Sequence, residues 1–202
     1  MKTEEIANVN LEQYTLGTAF CRQTYKQGGV CIYISKNISF NAFNLDQNIK
    51  EKDLEICALK ICEASNSFMV ICIYRSPTGD FNYFLNQTES ILNKTCKTST
   101  HIILCGDFNV NYFHENTTKH ILDSLLESFG LYSTVKFPTR TNYKSCTLID
   151  IIFINIYNHD FSVHPFINGV SDHDGQIITI SNIFYSVPRH IFNCKENKYT
   201  HN

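Results

Sequence analysis

Three stretches of this chain are apolar at nearly every position: Ser67–Tyr74 (SFMVICIY), His101–Cys105 (HIILC) and Thr147–Asn155 (TLIDIIFIN). Apolar runs this short and rich in β-branched residues predict strands buried on both faces. Such strands need a covering layer on each side. Between the first two runs, Phe84, Thr88, Ile91 and Leu92 recur at helical spacing. Between the second and third, a helix from about Thr118 to Phe129 is predicted, with Ile121, Leu122, Leu125 and Phe129 as its apolar stripe. Gly130 follows it where a left-handed residue closes a helix. Buried strands mixed with amphipathic helices define an α/β layered domain.

Further strands are weaker. Gly28-Gly29 opens the β-rich run Val30 to Ser35, and Asn37 to Phe43 is placed to return as its hairpin partner. Leu54 to Cys62 alternates with period two. Ser162 to Ile167 and Gln176 to Ile180 supply the last strands. Met1 to Lys26 is polar, and no strand is predicted there. The expected division is a polar segment over 1–27, a domain over 28–182 and a tail over 183–202.

A chain of 202 residues suits one large domain. Its formal charge of -2 gives no support to binding nucleic acid through bulk positive charge, so phosphate would be held by a local site or a metal. No stretch is long and apolar enough to span a bilayer, and the start lacks the apolar core of a secretion signal. The expectation is an intracellular protein, nuclear or cytoplasmic. Nine cysteines, an odd number without a CxxC pair, then read as reduced thiols and not as a disulfide framework.

Four polar segments sit at strand ends, where rigid elements can hold functional groups in register. Gly106-Asp107-Phe108-Asn109 follows HIILC. On an extended chain Asp107 and Asn109 point together while Phe108 turns inward. A carboxylate beside an amide suits water activation or a metal–phosphate site, and a plain turn would use the same residues. Ser171-Asp172-His173 sets an acid beside an imidazole. Three adjacent residues cannot converge as a serine-protease triad, so a metal or phosphate site and a polar loop remain. Asp150 lies inside TLIDIIF, where an unpaired acid is costly to bury; a histidine partner would satisfy it and fix the ring tautomer. Tyr74-Arg75-Ser76-Pro77 ends SFMVICIY and offers a phenol and a guanidinium to a phosphate.

The order GGVCIYI, YRSP, GDFN, a helix ending in SFGL, PTR, LIDIIF and SDH resembles the endonuclease/exonuclease/phosphatase superfamily. Within it, the likeness is to the apurinic-type endonuclease domain of LINE-like (non-LTR) retrotransposons, over about Leu11 to Ile180. The resemblance implies a four-layered α/β sandwich of two packed mixed sheets, similar to DNase I. It implies that Asp107 orients or deprotonates the attacking water, that Asn109 and Tyr74 contact the scissile phosphate, and that His173, paired with Asp150, stabilises the transition state. It also implies that Asp172 lies near a Mg²⁺ or Mn²⁺ ion, and that Arg75, Ser171, Thr139 and Arg140 face phosphate or DNA. The implied partner is a target-site DNA duplex, with no membrane and no disulfide partner.

In the resembled family two strands precede the GGV segment, and the second ends in a metal-binding glutamate. This chain begins after both, and Glu4 and Glu5 lack the context of that residue. The resemblance therefore implies a domain without its first strands and with impaired activity. Two alternatives stay open: an inactive remnant that binds nucleic acid or protein, and a superfamily phosphodiesterase acting on RNA or lipid.

Overall fold

A computed structural model describes residues 3, 6, 8–45, 49–63, 66–96, 100–157, 160–167 and 169–181. Glu4, Glu5 and the expected tail from 183 lie outside these residues.

Six strands form the main sheet. They are β3 (Phe40–Phe43), β4 (Glu55–Glu63), β5 (Asn66–Tyr74), β6 (Thr100–Asp107), β7 (Tyr132–Ser133) and β10 (Asp150–Ile154), in the order β3-β4-β5-β6-β10-β7. Only β5 and β6 run parallel, so the sheet is mixed. Parallel neighbours need a crossover, and helix α1 (Phe81–Thr95) supplies it. Asp80 caps that helix by accepting from the amides of Asn82 and Tyr83. Helix α2 (Thr117–Ser128) is capped by Asn116, and Gly130 beyond it has φ +72°, as its position predicts.

The helices cover one face of the sheet. Phe153 of β10 meets Phe108 and Tyr112 edge-on, and the Tyr112 hydroxyl donates to Asp123 of α2 at 2.7 Å. Leu104, Ile71 and Ala58 continue this row across the sheet and are fully buried. The opposite face takes β1 (Tyr14–Phe20) and its antiparallel partner β2 (Val30–Ser35). At Gly17 a Cβ would lie 2.7 Å from the Leu59 side chain, so the absence of one lets β1 approach β4. A second antiparallel pair, β11 (Phe161–Phe166) and β12 (Gly175–Ile180), adds Val163, Ile178 and Ile180 to the core. A short pair, β8 (Arg140–Thr141) with β9 (Cys146–Thr147), completes the strands. The result is an α/β sandwich whose second layer of strands consists, among the described residues, of two separate antiparallel pairs.

Several expectations are corrected. Met1 to Lys26 does contain a strand, β1. Its signal is weak because Tyr14, Thr15 and Leu16 are all exposed and the remaining four residues are only half-buried. The segment after β2 does not return onto it, since Phe40–Phe43 pairs with β4. The strand read in the alternation of Leu54 to Cys62 is present as β4. Glu55 to Leu59 is buried throughout because β1 and β2 cover one face and the helices the other. In α2 the stripe runs through Leu122 and Leu126, while Ile121 is exposed. The strand expected over Thr147 to Asn155 begins only at Asp150.

Gly106 is the position where the fold most needs glycine. Its φ is +140°, and a Cβ there would sit 1.8 Å from the Ile73 carbonyl oxygen on β5. Gly106→Ala is therefore expected to cost about 2–3 kcal/mol, from strain and a forced strand separation. Urea unfolding of the variant beside the parent measures it.

Candidate active site

Strand register builds the site. Asp150 on β10 lies opposite Asp107 on β6, Asp107 opposite Tyr74 on β5, and Tyr74 opposite Glu55 on β4. Directly opposed residues share a face. Glu55, Tyr74, Asp107 and Asp150 thus form one polar row along one rim, on the face that β1 and β2 cover.

His173 reaches this row from the turn before β12. Its Nδ1 lies 2.9 Å from Asp150 Oδ2, the acid–histidine pairing expected of Asp150. Asp107, Asp150 and His173 each bring one ligand-type atom into a group in which all lie within 4.8 Å of one another. The turn is held by the neighbouring loop. Arg140 bridges to His173, the Thr141 amide donates to the Asp172 carbonyl, and the Asp174 amide donates to the Thr139 carbonyl.

Electrostatics follow from burial. The Asp107 carboxyl is pushed up to about 6, first by desolvation and then by the charge of Asp150. Asp150 is also raised by desolvation, with His173 and Thr139 opposing the shift. Tyr74 is raised by desolvation and by Asp107. Two acids crowded at a rim beside an imidazole form a site that gains from a bound cation or from a proton. The carboxylates of this cluster are ligands of the kind a divalent metal ion takes.

The other expected site residues fall into two groups. Asn109 sits at the rim, but at φ +49° and not on an extended chain. Its amide donates to Asp107 Oδ1, and its Nδ2 donates to the Arg75 carbonyl at 2.7 Å. Asp172 is exposed and accepts from Arg140 Nε at 2.8 Å, which lowers its pKa; it stands outside the three-residue cluster. Ser171 is engaged in its own turn, exchanging hydrogen bonds with the His173 backbone.

Two residues stand differently from the expectation that they face phosphate or DNA. The Arg75 guanidinium is 5% exposed and donates to the carbonyls of Ser76, Gly79, Phe108 and Asn109. It ties the loop after β5 to the loop after β6, and four carbonyl partners satisfy it internally. Thr139 is fully buried: its hydroxyl donates to Asp150 Oδ2 at 2.9 Å and accepts from the amides of Ile149 and Asp150. It supports the acid that holds His173. Thr139→Val should lower stability by about 1–3 kcal/mol by leaving those groups unsatisfied, while Thr139→Ser restores most of it. Thermal unfolding of the two variants gives the comparison.

The sequence reading missed Arg22 and Glu55. Glu55 is fully buried and Arg22 nearly so, and Arg22 Nε donates to Glu55 Oε1 at 2.6 Å. The available signal was an acid heading an otherwise apolar strand, the same signal that singled out Asp150.

The mixed-sheet sandwich with an acid–histidine cluster at one rim agrees with the endonuclease/exonuclease/phosphatase class that the sequence resembles. The sequence pattern of one family in that class, described as endonuclease-reverse transcriptase, matches residues 68–177. The chain belongs to this family. Among solved structures it is similar to the endonuclease domain of TRAS1, a telomere-specific non-LTR retrotransposon. That match has a TM-score of 0.64 and 16% identity, and covers 85% of this chain and 81% of that one. An endonuclease/exonuclease/phosphatase family protein from Leptotrichia buccalis C-1013-b matches with a TM-score of 0.55 and 20% identity, over 75% of this chain and 65% of that one. A D. rerio TDP2 complexed with single-strand DNA product matches with a TM-score of 0.56 and 12% identity, over 83% and 76%. No curated protein sequence matches. No described helix is long and apolar enough to cross a membrane, and the cysteines among the described residues whose state is resolved are free thiols.

Proposed function

We propose that this chain is a divalent-metal-dependent DNA endonuclease that nicks target duplex by hydrolysing a phosphodiester. The observation that carries this is the convergence of Asp107, Asp150 and His173, from three separate segments, at one sheet rim. Family membership and the likeness to the TRAS1 endonuclease domain support it.

The proposed roles follow from the contacts. Asp107, with its carboxyl raised to about 6, takes a proton from water far better than an ordinary aspartate does and is still mostly ionised near neutrality. Asp150 holds His173 through Nδ1, so Nε2 is the nitrogen that meets a phosphoryl oxygen in the reaction. Thr139 keeps Asp150 in place. Asn109 and Tyr74 flank Asp107 and contact the phosphate. Arg140 and Asp172 border the His173 turn, where Arg140 would meet the DNA backbone and Asp172 would help to hold the ion. Asp172 and the carboxylates of the cluster would hold a divalent ion, which would supply Lewis-acid stabilisation of the phosphoryl oxygens.

The test is the conversion of supercoiled plasmid to nicked circle in Mg²⁺ or Mn²⁺ buffer. The proposal expects conversion that stops on chelation and is lost in His173→Ala. Conversion that persists in His173→Ala, or none by the parent chain in either metal, would overturn it.

A further inference from the structure

The buried Arg22–Glu55 pair has no role in the reaction as set out above. Glu55 opens β4, directly across from Tyr74, and is fully buried. It accepts from Arg22 Nε at 2.6 Å, from the Gly29 amide at 2.6 Å and from the Lys52 amide at 2.8 Å. Arg22 Nη2 also contacts Glu55 Oε1 as an ion pair, outside hydrogen-bond geometry. Arg22 lies just beyond β1, and its Nη1 donates to the Lys26 carbonyl at 3.3 Å. Gly28 leaves room for the guanidinium: at φ +100°, a Cβ there would fall 2.3 Å from Arg22 Cζ. The following loop is fixed as well, since Glu51 accepts from the amides of Gln23, Thr24 and Tyr25. So held, Arg22 places its Cζ 5.5 Å from the centroid of the Tyr74 ring.

We propose that Arg22 and Glu55 are positioning residues for the cleavage reaction, fixing the Tyr74 ring so that its hydroxyl meets the scissile phosphate. This rests on the nuclease function proposed above. Tyr74 is the last residue of β5, where the chain leaves the sheet, and its ring gains a fixed neighbour in the flat guanidinium. Arg22 is set from two directions, by Glu55 and by the Lys26 carbonyl, so the ring rests on a rigid support. Both charges are buried; Glu55 spends its hydrogen bonds on Arg22 and on backbone, and Arg22 spends its own on Glu55, on the Lys26 carbonyl and on the Tyr74 side chain. A buried ion pair contributes little net stability compared with apolar packing, so its place beside Tyr74 calls for a role beyond holding the loop.

The alternative is a clamp that only ties the β1–β2 loop to the sheet. A double-mutant cycle separates the two. Plasmid nicking is measured for the parent chain, Arg22→Lys, Tyr74→Phe and the double variant. Lysine keeps the charge but loses the plane and the fork. Positioning through the hydroxyl predicts that Arg22→Lys lowers kcat about tenfold with Tyr74 present and less than about twofold in the Tyr74→Phe background, with KM unchanged. Equal losses in both backgrounds, or no loss in either, overturn it. If Arg22→Lys does not unfold cooperatively, the neutral exchange Arg22→Gln with Glu55→Gln replaces it in the cycle. A parent chain that does not nick removes the nuclease function alone. The Tyr74 ring is then followed by carbon-labelled tyrosine NMR, assigned with Tyr74→Phe. Faster ring flipping in the exchanged protein supports positioning, and unchanged flipping overturns it.

Discussion

Asp107→Asn should lower strand cleavage on the order of 10³-fold while making the domain more stable, by about 1–2 kcal/mol near neutral pH. The loss follows from removing the proposed base. The gain follows from linkage. The folded Asp107 carboxyl titrates near 6, above its ordinary value, because burial and the Asp150 charge oppose ionisation. A carboxyl raised in this way favours folding while both states hold the proton. That contribution is lost as pH rises from the unfolded value through about 6. Asparagine cannot ionise, and its side-chain oxygen can still accept from the Asn109 amide as Asp107 Oδ1 does. The difference in midpoint between variant and parent should thus be positive near neutrality and shrink toward zero as the pH falls to about 4. Thermal unfolding across this pH range checks the sign.

Arg22→Met should cost about 3–5 kcal/mol, because it strands a buried charge. Glu55 is fully buried and depends on Arg22 for its only cationic partner among the described contacts. The Gly29 and Lys52 amides remain, but two neutral donors do not offset the desolvation of a carboxylate. Arg22→Met combined with Glu55→Leu removes both charges and should recover most of the stability, since apolar packing replaces a buried pair at little net cost. Urea unfolding of the single and double variants separates the stranded charge from a simple loss of volume. If the single variant loses under about 1 kcal/mol, the account of the pair as a desolvated unit is wrong.

What the sequence revealed and what it withheld follows from how each residue is held. Asp107 and Asp150 were legible because each interrupts or ends an apolar run, and a charge in that position needs a reason; His173 was singled out by the SDH segment and the family resemblance. Their convergence also follows from strand order, since β6 and β10 are neighbours and Asp150 pairs opposite Asp107. The roles of Arg75 and Thr139 were not legible. A guanidinium next to a site reads as a phosphate binder until the four carbonyls around it are seen. Thr139 in PTR reads as a loop residue, and only the packed structure shows its hydroxyl beneath Asp150. Strand β1 was missed because its first three residues are exposed, none is fully buried, and Gly17 dilutes its pattern. The glycine is there to admit Leu59, a tertiary reason with no local trace. The one-position error in the stripe of α2 is of the same kind: Leu125 and Leu126 are equal as sequence, and only the sheet decides which turns inward.

The central claim is that Asp107, Asp150 and His173 act as one phosphodiester-cleaving unit. The most direct measurement is the single-turnover cleavage rate of a defined DNA duplex in Mg²⁺ for the parent, for Asp107→Asn, Asp150→Asn and His173→Gln singly, and for all three together. Groups that act as a unit predict that each single variant loses most of the rate and that the triple variant is little worse than the weakest single. Single variants that each cleave within a fewfold of the parent, or losses that simply multiply in the triple variant, would contradict it.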